Sequence, residues 1–226
     1  MVMAARMGTS TGTAMPTNPA LLTMAQWLSP AYPVGAFAYS HGLEQAITAG
    51  AVQDAEALKD WVGDVLRFGS GRNDALLLAA AYLCKDPDGI DATARALAAS
   101  RERLLETQAQ GAAFAKTTRD TWGLALPDLC YPVAVGRAAG LMRLPLTDTC
   151  ALYLQAFAST LVSVGQRLIP IGQTEAQQAI RALAPICLEL AEDTQQGELD
   201  RLSNTAFMAD VAAMRHETQS TRIFRT

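Results

Sequence analysis

From Pro19 to Met214 the apolar residues of this chain recur at spacings of three and four, and no stretch alternates apolar and polar side chains over the length of a strand. A helix turns about every 3.6 residues, whereas a strand sends successive side chains to opposite faces, so this spacing alone selects helix over strand. No motif repeats at a fixed period and no long linker divides the chain. Half of the 226 residues are apolar, enough to cover a sizeable core. The expectation is an all-α fold, a single-domain helical bundle of about eight to ten helices over residues 19–214.

The helix boundaries follow from the punctuation. Leu21, Leu22, Ala25 and Leu28 mark one inward face beside Trp27, and Ser29-Pro30 ends that helix because a residue before proline leaves the helical region. Pro33 and Gly35 shape a loop over Ala31 to Phe37. Helical pattern resumes near Ala38 and runs through Leu43, Ala46 and Ile47 to a stop at Ala49-Gly50. Asp54 caps a helix carrying Leu58, Trp61, Val62, Val65, Leu66 and Phe68, which Gly69-Ser70-Gly71 kinks or ends. Asn73 or Asp74 opens Ala75 to Cys84, and Asp86-Pro87-Asp88-Gly89 is a helix-to-helix turn. Residues Ala92 to Lys116 are helical with a break at Ala99-Ser100, and Ala96, Leu97, Leu104, Leu105, Gln108, Gly111 and Ala112 are the candidate inward positions. Tyr131 to Met142 carries Gly136 and Gly140, small enough for a close helix contact. Thr147 caps a helix that stops at Ile169-Pro170, Thr174 and Gln177 form a capping box, and Pro185 kinks or divides the helix that follows. Phe207, Val211 and Met214 mark the last one.

Composition narrows the function. A net charge of −4 and a pI near 5.2 argue against nucleic acid as a partner. Cys84, Cys130, Cys150 and Cys187 are scattered through apolar stretches without metal-ligand spacing, so they read as reduced core thiols of a cytoplasmic protein. No run is long enough for a membrane helix. Residues 1–18 lack the continuous apolar stretch of a signal peptide and read as a disordered tail.

The segment Ser29 to Glu44 stands apart, with two prolines, two glycines, three aromatic residues and a histidine. Ser40, His41 and Glu44 supply the residue types of a hydrolytic triad, and a small helical enzyme using His41 is the rival reading. On a helix, however, Ser40 and His41 would diverge, while His41 and Glu44 at i, i+3 would pair. The two histidines, His41 and His216, form no local ligand pair, and no phosphate-binding loop is present, so neither a metal nor a cofactor site is expected. The end of the chain, residues 215–226, is basic on an acidic protein. Its arginines with Ile223 and Phe224 have the composition of an interface anchor; the alternative is a frayed, solvated terminus.

The residues Ser29-Pro30-Ala31-Tyr32-Pro33-Val34-Gly35-Ala36-Phe37-Ala38-Tyr39-Ser40-His41-Gly42-Leu43-Glu44 closely resemble the signature segment of the urease accessory protein UreF family. Arg215-His216-Glu217-Thr218-Gln219 with Thr221-Arg222-Ile223-Phe224-Arg225 is similar to that family's C-terminal motif, and Leu168 to Gln173 to its mid-chain turn. Ala38 stands where the family often has serine, and Ser220 where an aromatic is common. The resemblance implies an all-helical, homodimeric, non-enzymatic chaperone. It would join a UreD/UreH-type accessory protein and the UreG GTPase on apo-urease to promote nickel insertion, with an influence on GTP hydrolysis. It further implies that Arg215, His216, Glu217, Gln219, Arg222, Phe224 and Arg225 bind the UreD/UreH-type partner, gaining order on binding. Pro33, Gly35, Phe37, Tyr39, Ser40, His41 and Glu44 would lie near the face offered to the GTPase. Homodimerisation is expected through the small residues around Gly136 and Gly140.

Overall fold

A computed structural model describes residues 18–226. The described residues form ten α-helices and no strand: α1 (Pro19–Trp27), α2 (Leu43–Thr48), α3 (Ala55–Phe68), α4 (Ser70–Leu83), α5 (Asp88–Ala96), α6 (Arg101–Trp122), α7 (Tyr131–Met142), α8 (Leu146–Leu168), α9 (Gln173–Asp193) and α10 (Phe207–His216). Short 3-10 turns occupy Ala36–Ala38 and Leu199–Arg201. The all-α expectation and the helix count both hold. The expected tail lies outside the described residues except for Asn18, whose side chain caps α1 by accepting from the Ala20 N–H.

The bundle is built around α4. Ala75 to Ala81 are buried without a gap, so the middle of this helix has no solvent face, and the helix packs against α3, α7 and α8. Helix α7 reaches it through glycine: a Cβ on Gly136 would collide with the Leu78 carbonyl oxygen, and one on Gly140 would meet the Tyr82 carbonyl at 2.5 Å. The small residues expected to seat a second copy are therefore consumed inside one chain. Helices α8 and α9 pack together, and α3 closes on α9. At the edge, Trp27 meets Phe114 and Trp122 edge-on at 5.4 and 5.5 Å, fixing α1 to α6. Cys130, Cys150 and Cys187 are buried free thiols and Cys84 is half-buried, as expected of reduced core cysteines. Among the described residues no helix is long and apolar enough to cross a membrane.

Several local expectations need correction. In α1 the inward residues are Met24 and Trp27, while Leu21 and Leu22 are exposed, because burying the indole sets the helix rotation. In α6 the inward positions are Glu106, Gln110, Gly111, Phe114, Ala115 and Thr118, while Leu105 faces outward, as do Ala96 and Leu97 at the end of α5. Helix α2 begins at Leu43 rather than Ala38, and α4 at Ser70 rather than Asn73 or Asp74. Helix α8 starts at Leu146, after Pro145, and not behind Thr147. The helix-start contact in α9 is made by Glu175 to the Gly172 N–H at 2.7 Å, not by Thr174 and Gln177. Pro185 does not divide α9. Proline there leaves the Arg181 carbonyl without its usual donor, but both residues face solvent, where water can supply one. The cap at Asp54 and the break capped by Ser100 are found as expected.

Candidate functional site

The distinctive segment and the chain end meet in one structure. After α1, Pro33 and Gly35 turn the chain, with Gly35 at φ +74°, and Ala36–Ala38 make a single 3-10 turn. Tyr39 is extended, and the backbone then takes two left-handed steps, His41 at φ +58° and Gly42 at φ +79°. A side chain at Gly42 would strike the Ala213 backbone nitrogen at 2.6 Å, so only glycine lets α10 lie directly on this turn. Ser40 and His41 thus precede α2, and the expected divergence on a helix does not apply to them.

Glu44, in the first turn of α2, is buried at 4 % exposure. It does not pair with His41. Its carboxylate accepts from the backbone N–H groups of Ile223 at 2.7 Å and Phe224 at 3.0 Å and lies 3.2 Å from His216 Nε2. On the other side of the ring, His216 Nδ1 is 2.7 Å from Glu102, which also accepts from Arg222 at 2.5 Å. His216 has no exposed surface and lies between the two carboxylates. Glu217 accepts from the Arg101 N–H at 2.7 Å and the Glu102 N–H at 3.3 Å, filling donors that the start of α6 leaves open. Gln219 closes a local turn onto the Thr221 carbonyl.

The last residues complete the clasp. Phe224 is 3 % exposed with the Arg167 guanidinium 4.5 Å from its ring centroid, and the Arg225 N–H donates to the Ala38 carbonyl at 2.8 Å. Thr226 accepts from the Ser40 N–H at 2.8 Å and from the Ser40 hydroxyl through its carbonyl, and its own hydroxyl donates to Glu106 at 2.8 Å. The tail is packed on the bundle rather than frayed, with the Phe224 side chain buried in this chain. Of the expected partner-binding residues, Tyr39, Ser40, His41, Glu44, His216 and Phe224 are buried, Gly35, Glu217 and Gln219 are half-buried, and Pro33, Phe37, Arg215, Arg222 and Arg225 are exposed. Phe37, at 74 %, and Ile223, at 64 %, stand out from the surface beside the clasp.

A second polar group lies beneath it. His41 Nε2 is 2.6 Å from the Ser70 hydroxyl, while its Nδ1 is 3.8 Å from Glu106 and has no hydrogen-bond partner. Burial, helped by Arg103 and opposed by Glu106, pushes His41 down to about 4. Burial works to raise Glu106, but Arg103, with which it forms an ion pair, and His41 override it and hold it at about 2. Burial raises Asp74 to about 6 although the Tyr153 hydroxyl donates to it at 2.7 Å. Ser70, His41 and Glu106 resemble a hydrolytic array, but Glu106 is out of hydrogen-bond reach and committed to Arg103 and Thr226. A ring held at about 4 is a weak base, and the adjoining cavity, about 60 Å³, has room only for water-sized groups. Sequence reasoning missed Ser70, Glu102, Arg103 and Glu106. The one signal was polar residues at i, i+4, i+8 on α6, Glu102, Glu106 and Gln110, which spacing alone cannot assign to the inside. Among the described residues no group of three or more metal-binding side chains gathers.

Comparison with known proteins gives one result throughout. The UreF family model matches residues 52–184. A urease accessory protein UreF of Ruegeria pomeroyi is 51 % identical over 94 % of this chain and 100 % of its own length. One from Roseobacter denitrificans is 53 % identical over 92 % of this chain and 94 % of its own, and one from Rhodopseudomonas palustris 44 % identical over 91 % and 93 %. A family-model match over more than half of the chain and relatives alike over nearly its whole length place it: the chain belongs to the UreF family of urease accessory proteins.

Proposed function

We propose that this chain is a non-catalytic adaptor in the cytoplasm. It assembles with a UreD/UreH-type protein and a UreG-type GTPase on apo-urease, promotes nickel incorporation, and through that assembly influences GTP hydrolysis. The observation that carries this reading is the joining of two sequence-distant segments into one rigid surface. Glu44, His216 and Glu102 lock the turn at Ala36–Gly42 to residues 222–226, and around that buried lock stand exposed Phe37, Ile223, Arg222 and Arg225. A buried polar lock under an exposed aromatic, an aliphatic and arginines is the composition of a recognition surface. Homodimerisation belongs to the same proposal and rests on family membership, since Gly136 and Gly140 are occupied within the chain.

The test is co-purification with a tagged chain from cells expressing the urease cluster. Phe37→Ala, Ile223→Asp and Arg225→Glu change exposed side chains and should leave the melting temperature within a few degrees while reducing recovery of the UreD/UreH-type protein or the GTPase by about tenfold or more. Full recovery of both partners by all three variants would refute the assignment of this face.

A further inference from the structure

A second feature is independent of the clasp's surface chemistry. Between residues 29–39 and α8 lies a cavity of about 380 Å³, within the roughly 300–1,000 Å³ of small-molecule sites. Its walls are largely apolar, with Leu28, Val34, Leu161 and Val164 among them. One part is different: Asp74, Tyr153, Arg103 and Glu106 line it together. Arg103 and Glu106 neutralise each other, and Glu106 takes the Thr226 hydroxyl as well. Asp74 receives a hydrogen bond from Tyr153 but has no cation within ion-pair distance among the described residues. Asp74, Arg103 and Thr107 also line the smaller cavity, into which His41 enters. There, with the Nε2 hydrogen directed to Ser70, Nδ1 is a buried acceptor without a donor.

We propose that the larger cavity binds a small amphiphilic cation, an apolar body carrying an ammonium or amidinium head received by Asp74. A largely desolvated carboxylate with no ion-pair partner of its own is costly, and the one positive charge near Asp74, Arg103, is paired with Glu106; a ligand cation would supply the missing partner. The burial that raises Asp74 to about 6 expresses the same cost of an ionised carboxylate there. An anionic head would face Asp74 and Glu106, with Arg103 already committed. A neutral alcohol would gain only the apolar walls.

Calorimetry and thermal shift on the full chain, with hexylammonium, hexanol and hexanoate as probes, decide it. Hexylammonium should bind saturably and raise the melting temperature, with hexanol weaker by about tenfold, the scale of one charge-assisted hydrogen bond, and hexanoate weaker still. Asp74→Asn should bring hexylammonium down to the level of hexanol. Should that variant fold poorly, Ser159→Phe, which fills the cavity from α8, should abolish binding of every probe. Equal binding of hexylammonium and hexanol, unchanged binding in Asp74→Asn, or no saturable binding of hexylammonium would each overturn the proposal. Since no urease partner is present, these outcomes leave the adaptor reading untouched.

Discussion

Replacing Asp74 by asparagine should reveal a pH dependence that the parent protein conceals. Burial lowers His41 from 6.5 to about 4, so between those values the folded chain keeps the ring neutral while the unfolded chain binds a proton. Stability therefore falls as pH drops through that window, by about 2.5 kcal/mol between pH 7 and 4.5 at about 1.4 kcal/mol per pH unit. Asp74 has the opposite sign. Burial raises it from 3.8 to about 6, so the folded chain takes up the proton first and stability rises over the same interval by about 2 kcal/mol. Glu106, lowered from 4.5 to about 2, loses its contribution only below this range. Because the two opposing groups sit in one cluster, urea unfolding of the parent should be nearly flat from pH 7 to 4.5 as far as they determine it. Asp74→Asn removes the gain and leaves the His41 loss, so its unfolding free energy should fall by about 2.5 kcal/mol over that range. His41→Gln should show the reverse, becoming more stable on acidification. Parallel curves for the parent and Asp74→Asn would refute the assignment of opposed titrations.

Two further outcomes follow from the packing. Glu44→Ala removes the carboxylate beside buried His216 and the acceptor of the buried Phe224 and part-buried Ile223 N–H groups and should cost about 3–5 kcal/mol, with hydrogen exchange across residues 217–226 accelerating more than in α4. Exchange rising evenly across the chain would show that the clasp is not a separate unit. Gly136→Ala drives a methyl group into the Leu78 carbonyl and should destabilise by about 1–3 kcal/mol in chemical denaturation, whereas the same change at open Gly89 should stay within about 0.5 kcal/mol.

Removing the whole tail, by contrast, would be a poor probe of recognition. It takes away a fully buried histidine and the Phe224 ring, so lost binding could not be separated from a lost fold. That point was not available from composition, which reads Arg222, Ile223, Phe224 and Arg225 as one sticky end. Only the folded chain sorts them, turning Phe224 inward against Arg167 and leaving Ile223 and Arg225 outside.

The sequence by itself determined the helices, because apolar spacing, the cap at Asp54, the break at Ala99-Ser100 and the stops at Ser29-Pro30, Gly50 and Ile169-Pro170 act within a turn or two of chain. Through its motifs it also determined the family. Tertiary structure decided which face of each helix turned inward. Trp27 overrode Leu21 and Leu22 because a large indole buries more area than either, and α6 turned Glu106 inward, with Gln110 donating to it, because Thr226 and His41 meet that carboxylate from distant parts of the chain. Glu44 finds its donors 172 to 180 residues away, at His216, Ile223 and Phe224. No local pattern carries a contact of that separation; it exists only once Gly42 lets α10 settle on the turn.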